Sequence, residues 1–374
     1  MTAVLSDRTP DEGGGQDSDI KLHGSFHPRH ITLETFRDLL SHYPLTVEQA
    51  FSHKIKLKLQ SKSKPTKGPK RKTDSKASVA PIIKTERDPA EEKHIHEETD
   101  RFLHLDQWRY GTLPEIIATR KDMGMLNGSG AEEAYLSKEE LIDIMEWKLK
   151  HGVSRPMLMG MIKSNQVATI TKAMSTAFAA LPHANPILAP NDAFPKASLD
   201  ALTAPLRGVG PATASLILSA ATVLGDAKQE VPFYSDDVYL WLCLMDFPQT
   251  EGSEGKSYTE QKNPKHKKPN GELIAKYNMN EYRDLWNSSQ ELRARLNKDI
   301  VDGSEANPVS FIDIERVAYV LRNLAFSNYH SDQCSEDAIG FKGSADSYPS
   351  EELKSDSGEL GKRSSKRLKK QAMR

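Results

Sequence analysis

Cysteine is nearly missing from this 374-residue chain, with Cys243 and Cys334 the only two. Two isolated thiols supply no disulfide framework, and a cubane cluster needs four closely spaced ones. The 12 histidines are scattered and have no paired cysteines beside them, so no zinc site, no other metal and no cofactor is implied. Long apolar runs are missing too. Residues 1–16 are polar, acidic and glycine-rich, with no apolar stretch of signal-peptide length, and no segment approaches membrane-spanning length. No strand-like alternation of any length stands out and no internal repeat is evident. The expectation is an intracellular, soluble, all-α protein without a membrane partner.

Hydrophobic residues make up 37% and charged ones 28%, with a mean hydropathy of −0.60. This is the balance of a folded core with polar arms. The formal net charge of −1 conceals segregation. Between Lys54 and Lys76 ten Lys/Arg face a single acid, Asp74, and residues 362–374 hold seven and no acid. Such blocks are typically solvated. Lys70-Arg71-Lys72, Lys362-Arg363 and Lys366-Arg367-Leu368-Lys369-Lys370 look like nuclear import signals, which implies an import receptor as partner and a nuclear location; they also suit non-specific capture of phosphates.

The resulting division is 1–31 disordered, a helix within 32–52 that either docks or joins the core, a basic linker over 53–99, a helical domain over 100–329 and a disordered basic tail over 330–374. Leu33, Phe36, Leu39 and Leu40 recur at helical spacing. Ser137-Lys138-Glu139-Glu140 is a capping box before a helix whose Leu141, Ile144, Met145 and Leu149 share a face. Further helices are expected over 156–164, 167–181, from 198, over 272–299, and from Asn307-Pro308 with Phe311, Ile314, Ala318, Leu321 and Ala325 on one face. A proline-rich crossing (Pro182, Pro186, Pro190, Pro195) precedes residue 198, and residues 248–271 read as a mobile insertion. Trp147 and Arg155 suit stacking on a base, but a tryptophan on an amphipathic helix is more often core.

The chemistry concentrates in Leu206-Arg207-Gly208-Val209-Gly210-Pro211-Ala212-Thr213 and, about two dozen residues on, Val231-Pro232-Phe233-Tyr234-Ser235-Asp236-Asp237-Val238. Two glycines in a tight turn allow positive φ and leave no side chain between the amides and an approaching anion. Pro211 suits a first helical position, and the free amides of a helix start, with its partial positive charge, attract a phosphate. Gly208, Val209, Gly210, Ala212 and Thr213 are thus candidate phosphate-binding positions. The alternative is a C-cap and restart between two core helices. Pro205 should end or kink the preceding helix. Ser-Asp-Asp before an apolar run is also a common helix start, which leaves Asp236 and Asp237 open to a plain capping role.

Together these segments resemble the helix-hairpin-helix DNA glycosylase superfamily, specifically over 198–242. The resemblance implies a two-lobed helical domain with the hairpin at 198–224, double-stranded DNA as partner and a carboxylate at the cleft. Asp237 would assist water in removing a damaged base and steady the positive charge that develops on the sugar. Asp236 would serve as N-cap or supporting partner, or the two roles would be reversed. Bifunctional members carry a lysine where this chain has Ala212, so a monofunctional N-glycosylase without lyase activity is implied. A non-catalytic nuclear protein binding DNA or chromatin with the same fold is the alternative. Glu146-Trp147-Lys148-Leu149-Lys150-His151-Gly152, Arg155-Pro156 and Ser164-Asn165 match no motif of that superfamily and look more like a signature of uncharacterised eukaryotic proteins sharing the hairpin.

Overall fold

The structure is a computed structural model that describes residues 25–63, 89–126, 136–181, 194–225, 229–248, 266, 273–300 and 307–329. The import-like signals, most of the proline-rich crossing, nearly all of the 248–271 insertion and the termini lie outside the described residues. Twelve α-helices and no β-strand are found among those described.

The first two helices, α1 (Leu33–Ser41) and α2 (Tyr43–Ser63), belong to the core. Thr32 caps α1 by accepting from the Thr35 N–H at 3.1 Å, and Phe36 and Leu39 are fully buried. The basic linker expected over 53–99 is corrected at both ends, because α2 continues to Ser63 and α3 (Pro89–Gln107) begins before the expected domain start at residue 100. Packing explains both extensions. Phe51 of α2 stacks on Phe102 of α3 with centroids 4.1 Å apart, and Ile95 and Thr99 of α3 are buried. Lys54, counted above in a solvated basic block, donates to the carbonyls of Lys150 and Gly152 at 2.9 and 2.6 Å. A cation satisfying the orphan carbonyls of a helix end is favoured by both hydrogen bonding and the dipole.

A π-helical turn, Trp108–Thr112, links α3 to α4 (Leu113–Leu126). It carries Arg109, whose guanidinium is fully buried and donates to Glu315 at 3.0 Å, while the Tyr110 hydroxyl donates to the other Glu315 oxygen at 2.9 Å. The capping box opens α5 (Lys138–His151) as expected. Helices α6 (Pro156–Lys163), α7 (Val167–Ala179) and α8 (Lys196–Thr203) follow. The centre is α9 (Pro211–Thr222), small or apolar all round and buried at ten of its twelve positions, as a helix surrounded by others must be.

Beyond α10 (Asp236–Leu242), two helix starts differ from expectation. Asn278 caps α11 (Met279–Leu296), so it begins after residue 272, and α12 (Phe311–Arg322) begins after Pro308 because Ser310 and Asp313 form a capping box. Ala325 falls in a short 3-10 turn beyond α12 and is exposed. One continuous apolar cluster runs from Phe26 to Leu321.

Candidate nucleic-acid interface

The hairpin between α8 and α9 is built by subtraction and then clamped. Helix α8 stops at Thr203, two residues ahead of Pro205, and Leu206 and Val209 drive the turn into the core. Asn165, just after α6, holds the turn from behind: its side-chain amide donates to the Arg207 carbonyl at 2.9 Å and its side-chain carbonyl accepts from the Arg207 N–H at 2.9 Å. Gly208 lies at φ +79°, and a Cβ there would stand 3.0 Å from the Met161 Cβ and 3.4 Å from the Leu158 carbonyl oxygen. Gly210 is different. It is exposed and extended, and a Cβ would meet nothing within 4 Å.

Pro211 is the first residue of α9, and no side chain caps the start. Among the five proposed phosphate-binding positions, the side chains of Val209, Ala212 and Thr213 are buried, so the ligand chemistry available is that of the backbone amides. Arg207 and Lys163, on the turn and on the helix behind it, are exposed.

Two buried hydroxyls of α9 fix the following segment. Thr222 Oγ1 accepts from the Val231 N–H at 2.9 Å and Ser215 Oγ from the Tyr234 N–H at 3.0 Å, which sets the start of α10 against the body of the hairpin helix. The N-cap of α10 is Ser235, accepting from the Val238 N–H at 3.1 Å; the suggestion that Asp236 is the N-cap is corrected. A hydroxyl one residue earlier takes that position, and both acids occupy the first helical turn.

The two carboxylates part company from there. Asp237 points toward Arg322, whose Nε is 3.9 Å away, in a crevice also lined by Leu240, Trp241, Phe247 and Leu321. The crevice encloses about 10 Å³, room for about one water. Asp236 turns instead to the side on which α9 begins. Its Oδ1 accepts from the Tyr277 hydroxyl at 3.0 Å, and that hydroxyl accepts from Arg155 Nη2 at 3.0 Å. Arg155 lies over the Tyr277 ring at 4.7 Å, and Tyr277 itself is held at φ 51°. A non-glycine residue in the left-handed region persists where its surroundings over-determine it. Burial, then the charge of Asp236, pushes the Tyr277 hydroxyl above its usual range.

Lys148 joins the two halves. It reaches from α5 to α9, where its amine donates to Thr213 Oγ1 at 2.9 Å and lies 5.6 Å from the centroid of Phe233. No protein-family model, curated protein or solved structure matches this chain.

Lys148, Asn165 and Tyr277 make contacts that sequence reasoning did not assign, and Arg155, which suits stacking on a base, lies over the Tyr277 ring. Each sits on a different element from the hairpin, and no fixed spacing to the glycines marks it. Trp147 is core: it is fully buried and its Nε1 donates to Asp106 at 2.8 Å.

Proposed function

We propose that this chain is a DNA-binding protein of the helix-hairpin-helix glycosylase type, in which the hairpin holds a duplex backbone and a carboxylate at the start of α10 assists water in removing a base. The observation that carries this reading is the contrast within the hairpin: Gly208 is wedged against α6 and Asn165 holds the Arg207 main chain, whereas a Cβ at Gly210 would enter open space and no side chain caps the start of α9. A turn clamped from behind and bare in front suits a phosphodiester, which positions a duplex without reading its sequence. Exposed Arg207 and Lys163 add the charge that such a contact uses, and the lysine-rich segments beyond the described residues would raise the local concentration of DNA and direct the protein to the nucleus. Asp236 and Asp237 both remain candidates for the catalytic acid, with Asp236 on the hairpin side.

A second reading, a non-catalytic DNA- or chromatin-binding protein, is favoured by the narrowness of the Asp237 crevice, which leaves no room for a base. Incubating the protein with duplexes carrying alkylated, deaminated, oxidised or mismatched bases separates the two. Base excision predicts alkali-sensitive sites on at least one lesion, reduced at least about a hundredfold in Asp236→Asn or Asp237→Asn with duplex affinity retained. Binding without alkali-sensitive sites on any lesion favours the non-catalytic protein.

A further inference from the structure

The two acids of α10 are equivalent in the Ser-Asp-Asp pattern, but the structure ties one of them to a relay. Asp236 Oδ1 accepts from the Tyr277 hydroxyl at 3.0 Å, and Arg155 Nη2 donates into that hydroxyl at 3.0 Å. A guanidinium has no acceptor to offer, so the hydroxyl proton is directed to the carboxylate. Burial first, then the charge of Asp236, raises the Tyr277 hydroxyl above its usual range, which keeps it a donor throughout the neutral range. We propose that Tyr277 is a positioning residue that aims Asp236 at a substrate held by the hairpin, with Arg155 directing the hydroxyl; this rests on the reading of the chain as a base-excising protein, and it selects Asp236 over Asp237 as the acid.

The backbone is bent to make this contact. Tyr277 lies at φ 51°, a region that a bulky side chain avoids, and its neighbours hold it there. The Lys276 N–H donates to the two oxygens of Glu281 at 3.1 and 2.9 Å, and Asn278 accepts from the Glu281 N–H at 3.0 Å as the cap of α11. The Tyr234 hydroxyl donates to Glu281 at 3.0 Å, and the Tyr234 and Tyr277 rings stand 5.7 Å apart. Glu281 therefore ties the segment before α11 to the segment before α10, next to the place where Tyr277 reaches Asp236. A left-handed tyrosine costs stability, and such strain collects where a side chain has to be aimed.

Fixing one oxygen of a carboxylate leaves the other to work. Oδ2 of Asp236 accepts no hydrogen bond from a described residue, so it is the oxygen that would meet water and the charge that develops on a sugar. Lys148, which contacts Thr213 of the hairpin helix, is close enough to feel the Asp236 charge. Asp237 faces Arg322 instead, in a crevice with room for about one water.

The test uses the full chain in excess over duplexes carrying alkylated, deaminated, oxidised or mismatched bases, with single-turnover excision measured beside duplex affinity and urea unfolding. In Tyr277→Phe, which keeps the ring and loses the hydroxyl, excision of the lesion that the wild type cuts should slow at least about tenfold, with affinity within about threefold. Arg155→Met should slow excision by a smaller factor, about threefold to fivefold, and the double variant should be no slower than Tyr277→Phe, because both act through one hydroxyl. If Tyr277→Phe does not fold, the Arg155→Met rate decides. An excision rate in Tyr277→Phe within about threefold of wild type, or losses that simply add in the double variant, overturns the positioning role alone. Duplex binding by a wild type that excises no lesion overturns the base-excision reading and this role with it, while absence of duplex binding overturns the DNA reading itself.

Discussion

Gly208→Ala is expected to destabilise the protein by about 3 kcal/mol in urea unfolding, whereas Gly210→Ala changes stability by less than about 0.5 kcal/mol. The asymmetry follows from the turn. At position 208 a methyl group meets a left-handed backbone and, at 3.0 Å, the Cβ of Met161, which is fixed to the helix backbone and cannot swing aside as a chain end could. Strain of about 1–2 kcal/mol from the backbone adds to an overpacking penalty of similar size. At position 210 the backbone is extended and the methyl enters empty space. Gly210 should therefore report on ligand approach without a folding artefact: its alanine variant folds normally and binds duplex at least about threefold more weakly, because the new carbon stands between the amides and a phosphate. Equal stability losses at the two positions would contradict the described turn.

Removing Glu315 should have the largest effect on stability. Arg109 is fully buried and Glu315 nearly so; the guanidinium hydrogen-bonds Glu315 and, at a long 3.4 Å, Ser219, and lies over the Tyr110 and Trp147 rings, while its Nε and Nη1 have no hydrogen-bond partner. Glu315→Ala strands a desolvated cation and the Tyr110 hydroxyl together, for an expected loss of about 3–5 kcal/mol. Burial pushes the Glu315 carboxyl above its ordinary pKa, with Arg109 opposing. The double variant Arg109→Met with Glu315→Met should recover more than half of the loss, since two apolar groups of similar bulk leave no buried charge unpaired and only the Tyr110 hydroxyl loses its Glu315 acceptor. Urea unfolding of both singles and the double gives the coupling. Independent, small losses would show that the pair is not what joins the π turn to α12.

Legibility in the sequence followed the range of the interaction. The capping box at Ser137 and Pro156 at the start of α6 are local signals, and the helices begin where those residues place them. The backbone features of the hairpin are equally local, since Pro205 and Pro211 fix their own φ and Gly208 admits the positive φ of the turn. Errors arose where a distant partner decides. Lys54 lies in a run of lysines, a pattern that predicts a solvated side chain, yet the carbonyls it caps are nearly a hundred positions away. Asn165 gives no local hint that it will pair with the Arg207 main chain, 42 residues on. The divergence of Asp236 and Asp237 depends on Tyr277 and Arg322, neither of which the Ser-Asp-Asp pattern specifies. Lys148 is the same case: its meaning lies in reaching Thr213 from another helix.

The most direct test of the central claim is residue-resolved amide hydrogen exchange of the full chain with and without an undamaged duplex at moderate salt. The account predicts that the amides of Gly210 and Ala212, at the start of α9, exchange several-fold more slowly when duplex is bound, because they then donate to phosphate. Unchanged exchange at these amides, with protection confined to the lysine-rich segments, would contradict it.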